Sequence, residues 1–231
     1  MAVTESVPLL ACRGLEKGFS GPSGIVPVLK GVDFSAAAGE SVAVIGRSGS
    51  GKSTFLGILG LLDRPTAGSY TFEGADVSIL GDEERSSLRA RRMAFVFQDF
   101  NLLDRLDVLE NVALGLEMRG GLEEEEVAVR ARLAAGQVGL VHRLRHRPAQ
   151  LSGGERQRAA IARALAAHPS VLFADEPTGN LDSRTADEVM ESLLAAGGEL
   201  GTVILVTHDE RVAARFDRVV EMRDGQLADP L

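Results

Sequence analysis

The run Gly46-Arg47-Ser48-Gly49-Ser50-Gly51-Lys52-Ser53-Thr54 fits the spacing G-x-x-x-x-G-K-[ST] and narrows the folds open to this chain. Its glycines let successive backbone N–H groups turn inward on a phosphate chain with no Cβ in the way. Lys52 can reach the β- and γ-phosphates as a compact point charge, and the Ser53 hydroxyl can ligate Mg²⁺. Residues 41–45 before the loop form a short apolar run that reads as a buried parallel strand, and residues 53–62 read as a helix. A phosphate held there lies at a helix N-terminus, where N–H groups and dipole both favour an anion. Only three of the 25 basic residues are lysines, Lys17, Lys30 and Lys52. In so arginine-biased a chain, a lysine in the loop indicates a site that wants an ammonium rather than a guanidinium fork.

At 231 residues the chain has room for one large α/β domain with a smaller inserted lobe. Its formal charge of −8 lacks the basic footprint of a nucleic-acid binder. Aromatic residues make up 4% with no Trp, too few for base-stacking platforms. The longest apolar stretch, residues 55–62, is far short of the ~18 residues of a membrane helix, so direct membrane insertion is not expected. Cys12 is the only cysteine, which rules out an intrachain disulfide. Leu9-Leu10-Ala11-Cys12 superficially resembles a lipoprotein processing site, but no basic residue and no long apolar core precede it. Cys12 reads instead as part of a first strand.

Short strand-like runs at 8–12, 26–29, 32–35 and 41–45 open the chain. Further strands are expected at 69–72, 93–97, 171–174 and 202–206, with helices at 82–91, 153–167 and 185–196. A terminal hairpin is expected around Asp224-Gly225. Residues 104–150 carry helical patterns and no convincing strand, and the acidic run 123–126 suits the first turns of a helix. The expected fold is therefore α/β: a phosphate-loop NTPase core with a mostly parallel sheet, an N-terminal antiparallel β subdomain and an inserted α-helical subdomain. The domain reading is one domain over 1–231, with its core at about 1–100 and 151–231 and the helical subdomain at about 104–150.

A second strong signal is Val171-Leu172-Phe173-Ala174 followed by Asp175-Glu176-Pro177. Two carboxylates emerge at the end of a buried strand. Asp175 can hold Mg²⁺ opposite Ser53, and Glu176 points elsewhere, free to deprotonate the attacking water as general base. In Leu151-Ser152-Gly153-Gly154-Glu155, Ser152 and Glu155 form a capping box that starts a helix. A cap alone does not explain two glycines in the first turn, each costing about 1 kcal/mol against Ala. Close approach of an anion to the helix start would explain them, and nothing requires that anion to be held by the same copy of the chain.

The phosphate loop, Gln98 after a strand, Leu-Ser-Gly-Gly-Glu, the apolar-Asp-Glu run, Leu181-Asp182 and Thr207-His208 stand in the order of the ATP-binding-cassette ATPases of membrane transporters, which this chain resembles over essentially its whole length. The resemblance implies an enzyme that hydrolyses ATP with Mg²⁺ and pairs head to tail on ATP binding, each ATP lying between one copy's phosphate loop and the other's Ser152-Gly153-Gly154. It implies that Gln98 contacts Mg²⁺ and that His208 is the switch histidine at the γ-phosphate. Phe19 stands where the family stacks an aromatic, more often Tyr, on adenine; a core or surface phenylalanine is the other reading. It further implies a homodimer seated on integral membrane permease subunits, peripheral at the cytoplasmic face of the inner membrane. The run Asp175–Asp182 resembles the lipoprotein-releasing and macrolide-exporting branch, where amino-acid importers tend to carry Ser-Ala-Leu-Asp. A cell-division-type scaffold that binds ATP with little turnover is the alternative. Soluble DNA-repair or translation cassettes usually carry a long coiled coil or tandem cassettes, and this chain has neither.

Overall fold

The computed structural model describes residues 7–22 and 24–228. In chain order the elements are β1 (Leu10–Gly21), β2 (Gly24–Ala36), β3 (Ser41–Ile45), α1 (Lys52–Leu59), β4 (Ala67–Phe72), β5 (Ala75–Asp76), α2 (Asp82–Arg92), β6 (Met93–Phe97), α3 (Val108–Arg119) and α4 (Glu124–Gln137). Two short 3-10 turns (Val141–Arg143 and Pro148–Gln150) lead to α5 (Gly153–Ala166), β7 (Val171–Asp175), α6 (Ser183–Leu200), β8 (Thr202–Thr207), α7 (Glu210–Ala213), β9 (Arg218–Arg223) and β10 (Gln226–Ala228). They divide into two compact units, one built from the segments up to Ser86 and from Thr202 onward, the other from Ser87 to Gly201.

The first unit contains an antiparallel sheet in the order β2-β1-β4-β5. The sequence breaks its second strand at Gly31, yet β2 runs through as one strand, with Gly31 taking a left-handed φ of 77°. The neighbouring β1 shifts register between Cys12 and Leu15, beside Gly14 at φ 57°. Extra residues are thus absorbed as bulges that twist the strands without ending them. Cys12 lies in β1 as expected, and burial pushes its thiol up to about 12, so it stays protonated and inert. The leader that a processing site would need begins outside the described residues.

The same unit carries strands in the order β10-β9-β3-β8. β3 pairs in parallel with both β8 and β9, Ile45 facing Thr207 on one side and Glu221 on the other. Strands covered on both faces need near-continuous apolar runs, and every residue of β8 is buried. Phe55, Ile58 and Leu59 of α1 are fully buried, with Phe34 edge-on to Phe55 at 5.4 Å between centroids. α1 stops three residues short of the expected end because Gly60 caps it and Leu61 turns left-handed at φ 57°. The terminal hairpin turns at Asp224 (φ 48°) and Gly225 (φ 83°), a two-residue loop with both central residues left-handed, as a type I′ turn requires.

The second unit holds β6 and β7 in parallel, from Met93 opposite Val171 to Phe97 opposite Asp175. Between Val108 and Gln150 the described residues form α3, α4 and the two 3-10 turns, with no strand. The small face of α5, including fully buried Ala159, Ala160 and Ala162, permits close helix packing. At Gly115 of α3 a Cβ would come 2.7 Å from Arg163 O of α5, so only glycine fits that crossing. Among the described residues no helix is long and apolar enough to cross a membrane.

Candidate functional site

In the first unit, residues 46–51 bridge the end of β3 and the start of α1. Gly51 caps α1 at φ 108°, and Gly49 has φ 80°. A Cβ on Gly46 would collide with Met222 O and lie 2.9 Å from Ser50 Oγ. Glycine is therefore set there by close approach of β9. Lys52 is 8% exposed, and its ammonium donates to Gly46 O at 2.7 Å and Arg47 O at 3.1 Å, bracing the loop from inside. An ammonium has three donors, and two are committed to the loop. Ser50 Oγ is buried without a hydrogen-bond partner, a costly state unless a ligand supplies one. Arg47, Ser48, Gly49 and Ser50 line one side of a cavity of ≈ 490 Å³, and residues 221–224 line the other. An orphaned hydroxyl, a buried ammonium and a glycine cradle at a helix N-terminus fit the oxygens of a phosphate chain. Thr54 and the more exposed Ser53 occupy the first turn of α1.

His208 follows β8 directly, and the register of Ile45 against Thr207 brings it to the same strand ends as Gly46. Thr207 Oγ1 accepts from Asp209 N, and Asp209 caps α7 by accepting from Arg211 N, so the residues flanking His208 are fixed. Phe19 sits near the turn of the β1–β2 hairpin opposite Val26, with 44% of its surface exposed. It is a surface aromatic, which removes the core reading. The Lys17 ammonium lies 4.9 Å from the centroid of its ring and is anchored to Asp63 at 2.6 Å. Val28 and Leu29 of β2 pack against the Cβ position of Gly51, linking this hairpin to the phosphate loop.

In the second unit, the pairing of Phe97 with Asp175 sets Gln98 and Glu176 next to one another along two parallel strand ends. Asp175 ends β7, and Glu176 takes φ 46° immediately before Pro177. A left-handed non-glycine residue is strained by about 1 kcal/mol or more, and such strain gathers at working sites. Gln98 and Asp175 of this unit offer a carboxamide and a carboxylate, and Ser53 of the first unit a hydroxyl; each is by itself a hard oxygen donor of the kind Mg²⁺ takes.

The capping box at α5 is formed: Ser152 Oγ accepts from Glu155 N at 3.2 Å, and Glu155 Oε2 accepts from Ser152 N at 2.8 Å. Arg143 Nε donates to Glu155 Oε1 at 2.8 Å. These bonds, the Ser152 N–H foremost, hold the Glu155 carboxyl down to about 2. Gly154 has a packing cause as well, because a Cβ there would overlap Thr185 Cγ2; at Gly153 it would lie 3.2 Å from Leu181 Cδ2. Gln157 and Arg163, which sequence reasoning left without a role, now stand out around Gln98, beside Asn180 of the Asn180-Leu181-Asp182 run that resembles the loop touching the opposing phosphate site. Gln157 Nε2 donates to Phe97 O, Arg163 donates to Phe100 O and Asn101 O, and Asn180 bonds the Gln98 amide. Gln157 closes the Leu151–Gln157 motif and Asn180 belongs to the run that resembles the exporter branch, whereas Arg163 carried no sequence signal.

Comparison with known proteins agrees with this geometry. The family model described as ABC transporter matches residues 29–179. The chain is 48% identical to the lipoprotein-releasing system ATP-binding protein LolD of Geobacter metallireducens, over 95% of this chain and 97% of that one. It is 47% identical to the macrolide export ATP-binding/permease protein MacB of Wolinella succinogenes, over 95% of this chain but only 34% of that longer protein. A dimeric ATP-binding cassette solved in a post-hydrolysis state with ADP and phosphate superposes with a TM-score of 0.87 at 38% identity, covering 95% of this chain and 98% of that one.

Proposed function

The chain belongs to the ABC transporter family of ATP-binding-cassette ATPases, and from that membership we propose that it energises an exporter of the lipoprotein-releasing or macrolide-export type by closing head to tail with a second copy on ATP. The observation that carries the reading is the phosphate loop, with its buried Lys52, unpartnered Ser50 hydroxyl and a Gly46 that admits no Cβ. The near end-to-end similarity to a lipoprotein-releasing ATP-binding protein points to the branch. In this reading the whole chain is one cassette, its core at about 1–100 and 151–231 and its helical subdomain at about 104–150.

Gly46 to Thr54 cradle the triphosphate, Lys52 neutralises charge on the β- and γ-phosphates, and Phe19 stacks on adenine. Ser53, Gln98 and Asp175 are the residues that would hold Mg²⁺, which would polarise phosphate oxygens there. Glu176 accepts the proton of the attacking water, and the His208 ring contacts the γ-phosphate. Ser152, Gly153 and Gly154 of one copy close on the ATP of the other, with the α5 N-terminus supplying N–H groups and dipole. Integral permease subunits hold the dimer peripherally at the cytoplasmic face of the inner membrane.

The test is to tag the Glu176→Gln variant, express it in its native cell and identify what copurifies with it, with ATP, from detergent-solubilised membranes. Recovery of an integral membrane protein with a large extracytoplasmic domain is expected. Recovery of soluble proteins alone would overturn the exporter reading in favour of a nucleotide-gated scaffold.

A further inference from the structure

The loop between β7 and α6 grips the side chain of Gln98, and we propose that Asn180 and Gly179 are positioning residues that present Gln98 Oε1 to the metal–nucleotide ligand. The inference rests on the metal role given to Gln98 above. Gln98 Nε2 donates to Asn180 Oδ1 at 3.1 Å, and Asn180 Nδ2 donates back to Gln98 O at 3.3 Å and to Asp99 Oδ1 at 3.5 Å. A carboxamide has one donating end and one accepting end. Committing Nε2 to Asn180 fixes the amide with its oxygen on the other side, and oxygen is the end a hard cation takes.

Gly179 sets the distance. A Cβ there would lie 2.9 Å from Gln98 Nε2 and 3.1 Å from its Cδ. The atoms it would meet belong to a side chain that can swing, so a larger residue would turn the Gln98 amide without unfolding the loop. Gly179 N also donates to Glu176 O at 3.0 Å, tying the clamp to the strained residue assigned as general base. The backbone beneath Gln98 is held independently, by Gln157 at Phe97 O and by Arg163 at Phe100 O. Loss of the Asn180 side chain therefore frees the amide, and with it Gln98 O and the Asp99 carboxylate, while those two backbone anchors stay in place. This gives a physical meaning to Thr178-Gly179-Asn180-Leu181-Asp182. Ser-Ala in place of Gly179-Asn180 would put a Cβ against the amide and delete its partner.

The experiment measures ATP binding calorimetrically while Mg²⁺ is titrated, in the full chain carrying Glu176→Gln so that nothing turns over. Asn180→Ala and Gly179→Ala are each expected to raise the Mg²⁺ concentration for half-maximal enhancement roughly 3- to 10-fold. Affinity for metal-free ATP and the melting temperature should stay at the parent values. Asn180→Asp, which keeps an acceptor for Nε2, should recover part of the loss, and Asn180→Ala should add nothing once Gln98→Ala is present. If Gln98→Ala shifts the Mg²⁺ midpoint and Asn180→Ala does not, or if the two effects add, the clamp is overturned and the metal role of Gln98 stands. If neither variant shifts it, both assignments fall.

Discussion

Glu176 joins a chemical demand to a backbone demand at one position. A residue at φ 46° before proline is strained for any side chain with a Cβ, while the proposed general-base role requires a carboxylate. The two demands separate by substitution. Glu176→Gln should keep ATP binding and lose at least ~10²-fold in hydrolysis. Glu176→Gly should lose hydrolysis as fully yet melt higher than Glu176→Gln by about 2–4 °C, because relief of ~1 kcal/mol corresponds to that shift in a chain of this size. Phosphate release and thermal melts on the two variants decide it; near wild-type turnover in Glu176→Gln would end the general-base assignment. The sequence made Glu176 visible through the apolar strand before it and the proline after it. Its dihedral was invisible, since nothing in Asp-Glu-Pro forces a left-handed turn. Gln98 was legible only by its place in a series of motifs, and the amide–amide contact with Asn180 lies 82 residues away along the chain.

Elements were legible where local chemistry decides them and blurred where long-range pairing does. The capping box of α5 and the Asp224-Gly225 hairpin could be read directly, because both are closed by neighbours within three residues. The run of β2 through Gly31 could not, because the partner strand and not local propensity carries it through. α5 also supports a pH prediction. Glu155, with an ordinary value of 4.5, is held near 2 in the folded chain. A depressed carboxyl stabilises the fold above its unfolded value, and the contribution is lost as pH falls through the folded one. Glu155→Gln should therefore lower stability by about 1 kcal/mol at pH 7, with the gap from wild type closing between pH 4.5 and about 2. Urea midpoints of the two proteins across that range test this; a gap unchanged down to pH 2 would contradict the assigned bonds.

For the whole molecule the decisive question is whether each catalytic site is made by one chain or two. In the proposed reading the glycines after Ser152 start a helix that meets the ATP of the other copy, and a cassette with 38% identity has been solved as a dimer. If the site is shared head to tail, two different lesions should complement. Ser152→Arg blocks the helix start and leaves Lys52 intact, so it should bind ATP and fail to hydrolyse it. Lys52→Ala disables the phosphate loop and leaves Ser152 intact, and should also be inactive. In a mixed dimer one site combines the intact phosphate loop of the first with the intact helix start of the second, while the other site carries both lesions. An equimolar mixture of the two inactive proteins should recover up to about a quarter of wild-type ATPase activity, since half the dimers are mixed and each has one sound site. A site completed within a single chain allows no such recovery, whatever the mixing ratio. Steady-state phosphate release from the mixture, compared with each variant alone, separates the two architectures, and activity that never rises above the separate variants would rule out the shared site.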